Sequence, residues 1–158
     1  MSKQINDRLH ILKTVFLILL AVDLIGLVSA CIALLPTFSM LADYGQMMIV
    51  VTGIISAVTV AVILFEILAK CCLIRSTSPT FSWVSARKSY GTLAKLLLLF
   101  NLGAIILGIL SAGGEGATPI NQVRLYLEML ANAVEVIAVI FYLRTRKEML
   151  QSKKEDTN

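Results

Sequence analysis

Residues Gln122 to Leu143 read QVRLYLEMLANAVEVIAVIFYL. At about 1.5 Å per helical residue this run crosses a hydrocarbon core of about 30 Å. It nevertheless carries Arg124, Glu128, Asn132 and Glu135. At about 100° per residue these four fall within roughly 80° of one another, so they form one polar stripe on an otherwise apolar helix. An acid at such depth is costly, and one that persists has a partner or a role. The rest of the chain is therefore read for that partner.

Of the 158 residues, 58% are hydrophobic and 15% are charged, with a mean hydropathy of +0.85. A soluble domain carries roughly a quarter of its residues as charges. The apolar excess is gathered into four runs, each near the ~20 residues that span a bilayer. The composition thus predicts an all-α, polytopic integral membrane protein: a single four-transmembrane-helix bundle with spans at about 14–35, 47–72, 92–111 and 121–143. The formal charge of +4 does not point to nucleic acid, because the basic residues lie mainly between and after the spans. The three cysteines, Cys31, Cys71 and Cys72, with the lone His10, make no metal-ligand or disulfide framework. No Ser/His/Asp set or phosphate loop is present, so neither an enzyme nor a cofactor is expected.

The basic lead-in, with Lys3, Arg8 and Lys13 beside Ile5, Leu9 and Leu12, reads as an amphipathic turn or two along the membrane surface. The first span holds Asp23, and Pro36 marks its exit. Val28-Ser29-Ala30-Cys31 has the look of a lipoprotein cleavage box, but the apolar run continues through Leu35, so Cys31 is read as a small buried residue within the span. Residues 37–46 form a short loop. The second span extends towards Ile74, longer than the bilayer needs, and is expected to tilt or protrude. Thr52, Ser56, Thr59 and Glu66 share one of its faces, and Lys70, four residues beyond Glu66, stands in the favoured order for an ion pair along a helix at the membrane boundary.

Arg75 and STSPTFSWVSARKSY follow, with Phe81, Trp83 and Tyr90 suited to headgroup level. The third span sets Ala94, Asn101, Ala104 and Gly108 on one side, a face that lets another helix approach closely. AGGEGATP makes a flexible turn, Thr118 caps the fourth helix and Pro119 suits its first turn. A disordered basic tail is expected over about 149–158.

Lysines and arginines number three before the first span, five from Lys70 to Lys95 and five after the fourth span. The first connecting loop has none and the second has Arg124 near it. This bias predicts both termini and the central loop in the cytoplasm. The membrane is expected to be a bacterial inner one. Counted from that side, Asp23, Asn101 and Glu135 lie about 15, 14 and 12 Å into their spans, and Thr59 and Ser56 reach the same layer. Two carboxyl groups in one apolar layer cannot both be charged at low cost, and together they hold a single exchangeable proton.

That chemistry suits proton- or cation-linked movement of a small solute along Asp23, Glu135, Asn101, Asn132 and Thr59. Glu66, Glu128 and Arg124 are secondary members, the last two paired towards the outer boundary. The alternative is a non-catalytic membrane subunit or regulator. In that reading the polar residues are helix-helix glue, a protonated Glu135 bonded to Asn101 among them, and the basic central loop and tail meet a cytoplasmic partner. Both readings expect contact with the lipid bilayer and a homo-oligomer or membrane-protein partner.

SPTFSWVSARKSYGTL, with Pro79, Phe81 and Gly91 leading into the third span, together with FYLRTRKEMLQSKKEDT, resembles an uncharacterised bacterial four-span family often encoded beside Cro-type helix-turn-helix regulators. The resemblance covers about a third of the chain and implies a membrane partner or sensor of a regulator, with no catalytic residues to carry over. Small multidrug-resistance transporters share only the style of Asp23 in AVDLIGL. The Asn132-Ala133-Val134-Glu135 spacing lacks the position and following proline of the membrane glutathione-conjugating enzymes.

Overall fold

A computed structural model describes residues 3–41, 46–78, 89–112 and 119–155, with side chains over 4–32, 47–78, 89–112 and 122–151. They form four helices: α1 (Lys3–Leu41), α2 (Gln46–Ser76), α3 (Ser89–Ala112) and α4 (Pro119–Glu155). All four are long and apolar enough to cross a membrane, over Gln4–Ile32, Met47–Ser76, Ser89–Ala112 and Gln122–Gln151. The chain is therefore a multi-pass membrane protein with a four-helix bundle. With no water in the hydrocarbon to satisfy free backbone groups, long uninterrupted helices are the economical solution.

The helices pack in a ring, each against its sequence neighbours and α4 back against α1, while the diagonal pairs α1/α3 and α2/α4 make no backbone contact among the described residues. Residues 3, 78, 89 and 155 mark one end of the bundle, called the terminal end below. Residues 41, 46, 112 and 119 mark the far end.

The helices run beyond their apolar runs, and each extension has a packing reason. The lead-in is the first three turns of α1 and does not lie apart as a surface helix, because Leu9, Leu12, Phe16 and Leu19 continue one seam and are all buried. On α4 the matching seam is Glu135, Ala138, Val139, Tyr142, Thr145 and Met149, so the expected disordered tail is helical to Glu155. Intervals of three and four residues keep such a stripe facing its neighbour, as in coiled coils. Helix α1 also passes through Pro36 to Leu41, where an exit was expected. The central loop with Pro79, Phe81 and Trp83, and Thr118 in the second turn, lie outside the described residues, whereas Pro119 opens α4 as expected.

Burial divides the bundle sharply. The core of Leu9, Leu12, Phe16, Leu19, Ala69, Leu73, Ala94, Leu97, Ala138, Val139, Tyr142 and Met149 lies at the terminal end. Phe16 meets Tyr142 edge-on with ring centres 6.1 Å apart, and the Tyr142 hydroxyl is 2.7 Å from Ser76 Oγ, which in turn lies 2.7 Å from the Leu73 carbonyl. At the α1/α4 seam Arg8 pairs with Glu148 at 2.7 Å and stands over the Phe141 ring. On the far side of Ala69, Lys70, Asn101 and Glu135, Gly108 is the only buried residue among those described. There a Cβ on Gly108 would come within 2.8 Å of Met129, so α3 and α4 touch closely through the small-residue face read from the sequence. Cys31 lies in this half and is exposed among the described residues, contrary to its expected burial.

Candidate ionic site at the bundle centre

The packed half ends in a layer of charge. Asp23 on α1, Lys70 on α2, Asn101 on α3 and Glu135 on α4 are brought together where the apolar core stops. Lys70 Nζ lies 2.5 Å from Asp23 Oδ2 and 2.7 Å from Glu135 Oε2. Its side chain has no exposed surface, and those of Asp23 and Glu135 are 14% and 4% exposed. Because α2 and α4 are diagonal, only a long side chain crosses the ring to join them, and lysine's four-carbon stem does so while its ammonium offers three donors.

Each partner is placed by its helix. Asp23 extends the α1 seam one turn beyond Leu19, and Glu135 extends the α4 seam one turn beyond Ala138 and Val139. Lys70 follows Ala69 and precedes Leu73 on the buried face of α2. The charged residues therefore face inwards for the same periodic reason as their apolar neighbours.

Asn101 is fully buried, and its Nδ2 donates to the Leu97 carbonyl at 2.9 Å. Its amide lies beside the Glu135 carboxyl. Asn101 Oδ1 and Glu135 Oε1 are both buried without a hydrogen-bond partner. Glu66, one turn along α2 towards the far end, is half-buried and within electrostatic range of Lys70, Glu135 and Asp23. The site thus gathers three acids around one lysine, with two acids bonded to it.

The Glu66–Lys70 boundary pair read from the sequence does not form: Lys70 bonds Asp23 and Glu135, because its stem points to the bundle axis rather than along its own helix. Thr59 is likewise not in the layer. It is exposed and donates to the Ile55 carbonyl of its own helix at 2.9 Å. Thr59 precedes Lys70 by about 16 Å along the helix, the error that follows from centring the second span on its most apolar stretch. Asn132 is half-buried, about one turn from Glu135 towards the far end. Arg124 and Glu128 pair at 2.8 Å with both side chains largely exposed, and take no part in the layer.

Lys70 is the member of the ionic layer that sequence reasoning missed. Its signal was present in Cys71-Cys72-Leu73-Ile74, which carries the apolar character past the lysine to Arg75 and places Lys70 inside the span rather than at its edge. Among the described residues no group of three or more His, Cys, Asp and Glu side chains could hold a metal ion.

No family model, curated protein or solved structure matches the chain. The function is accordingly argued from the site itself.

Proposed function

We propose that the protein couples the movement of a proton to the passage of a small solute, with Asp23, Lys70 and Glu135 as the exchanging core. The observation that carries this reading is the charge imbalance: one buried lysine is held between two acids where the buried apolar core ends. A net charge in that position is expensive in hydrocarbon, and gaining a proton removes it. Asp23 keeps 14% of its side chain uncovered and is the acid at which a proton would enter.

Lys70 gives the charge change a mechanical consequence. It ties α2 to α1 through Asp23 and to α4 through Glu135, so protonating either acid weakens one tie and leaves the lysine to the other. The packed terminal half, sealed by Phe16, Leu97 and Tyr142, is then the closed side of a two-state bundle, and release of a tie shifts the population towards its opening. In the orientation expected from the basic residues, the closed side faces the cytoplasm of a bacterial inner membrane and the open side faces out.

The second reading is a non-catalytic membrane subunit or regulator, in which the ionic layer only fixes the packing of the bundle. The observation that favours it is the basic rim at the terminal end, where Lys13, Arg75, Lys95, Arg144 and Lys147 are all exposed and available to a cytoplasmic partner. Proton flux separates the two. Proteoliposomes holding a trapped pH dye and offered a panel of small inorganic and organic solutes are expected to show solute-dependent dissipation of an imposed proton gradient with the wild-type protein, falling to the level of empty liposomes with folded Glu135→Gln. Wild-type flux no greater than that of empty liposomes, or flux unchanged in Glu135→Gln, contradicts transport and leaves the subunit reading.

A further inference from the structure

At the terminal end α3 and α4 meet through a second close contact, and a charge is seated in it. Gly91 on α3 is buried, and the Arg146 guanidinium of α4 occupies the space in which a side chain at Gly91 would stand, since a Cβ there would lie 2.9 Å from Arg146 Cζ. Arg146 Nε is buried without a hydrogen-bond partner, and among the described residues the guanidinium makes no ion pair. Helix α3 carries no acid, and Glu148, the described acid side chain on this part of α4, is engaged by Arg8 and Arg144. A guanidinium stays charged in proteins, so Arg146 calls for an anion that the described helices do not supply. Depth indicates its source. Arg146 lies about 16 Å along α4 from Glu135, and Gly91 about 15 Å along α3 from Asn101. Half of a hydrocarbon core is about 15 Å. With the ionic layer at the depth read from the sequence, the guanidinium therefore stands at headgroup level, among lipid phosphates.

We propose that Arg146, seated on Gly91 between α3 and α4, is a binding site for the phosphate oxyanion of an anionic phospholipid headgroup. The planar fork of a guanidinium matches phosphate geometry and donates to two of its oxygens at once. Arg146 is half-buried, so one edge is held against α3 while the other stays open to a headgroup. Lys95, one turn along α3 from Gly91, and Arg144 and Lys147 beside Arg146 are all exposed. Their field favours a lipid of net negative charge over a zwitterionic one. Gly91 is the positioning residue, because any side chain there displaces the guanidinium. The site lies apart from the ionic layer, and its occupancy does not depend on proton movement.

Native mass spectrometry of the full chain in mild detergent, titrated with phosphatidylglycerol, phosphatidylcholine or inorganic phosphate, tests the site. The wild type is expected to retain phosphatidylglycerol about tenfold more tightly than phosphatidylcholine, and to retain no inorganic phosphate at the same concentration. Arg146→Gln is expected to lose about tenfold in phosphatidylglycerol affinity, whereas Lys147→Gln, which removes the same charge from the adjoining exposed position, loses less than about threefold. Gly91→Val keeps every charge but takes the guanidinium's seat, and is expected to weaken retention as Arg146→Gln does. Should Gly91→Val not fold, the contrast between Arg146→Gln and Lys147→Gln carries the assignment. Equal losses in those two variants, full retention in folded Gly91→Val, or no preference of the wild type for phosphatidylglycerol overturns the proposal. Retention of inorganic phosphate in place of lipid also overturns it, assigning the seat to a soluble phosphate.

Discussion

Replacing Lys70 by methionine is expected to destabilise the bundle by about 3–5 kcal/mol, the cost of removing one partner from a buried ionic network and leaving the other charges uncompensated. Methionine fills much of the space of the lysine stem, so the loss reports charge rather than volume. Two carboxyl groups, Asp23 and Glu135, lose their shared donor in a site where Lys70 is wholly enclosed. Reversible unfolding in mixed micelles measures the effect. The combined variant Asp23→Asn, Lys70→Met, Glu135→Gln is expected to regain most of that stability, because a buried ion pair contributes little once the desolvation of its charges is counted. A single Lys70→Met substitution without cost would show that the lysine is not the tie between α1, α2 and α4.

The second large effect is a contrast within one helix. Leu97→Ala on α3 is expected to cost about 2–4 kcal/mol, since Leu97 has no exposed surface and its loss leaves a cavity between the helices. Leu107→Ala, the same change farther along α3, is expected to cost less than about 0.5 kcal/mol, because Leu107 is 65% exposed. Apolar transfer offers little driving force between lipid and protein interior, so the difference comes mainly from packing. Thermal unfolding of the two variants in the same detergent checks it. Equal losses would mean that the far half is as tightly filled as the terminal half.

Much of this architecture is legible in the sequence, and the parts that are not have physical reasons. Four apolar runs of bilayer length fix the helix number, and the depth of Asp23, Asn101 and Glu135 places three helices in a common register, as observed. Of the small face read as Ala94, Asn101, Ala104 and Gly108, Ala94, Asn101 and Gly108 are buried and Ala104 is half-buried. Hydropathy alone does not show how far the helices run into their charged flanks. Leu9, Leu12 and Met149 look like part of a boundary segment until each is found opposite a neighbouring helix.

The site was half legible. Two acids at one depth announce a polar core, but the residue joining them lies on α2 beside an acid one turn away, and the local Glu66–Lys70 spacing offers a simpler partner. Local spacing describes neighbours on one helix, whereas the bond to Glu135 crosses the diagonal of the ring and depends on how all four helices assemble. Thr59 shows the converse error, since a polar residue at the centre of an apolar run need not be at the centre of the bundle.

The central claim is that Lys70 joins Asp23 and Glu135 at one point on the bundle axis. Solid-state NMR distance measurement between the Lys70 Nζ nitrogen and the labelled carboxyl carbons of aspartate and glutamate in lipid tests it most directly. The account predicts strong dipolar coupling of Lys70 to both an Asp and a Glu carboxyl, with the Asp coupling removed by Asp23→Asn and the Glu coupling removed by Glu135→Gln. Coupling to a single glutamate that survives Glu135→Gln and vanishes in Glu66→Gln would contradict it, returning Lys70 to a pair along its own helix.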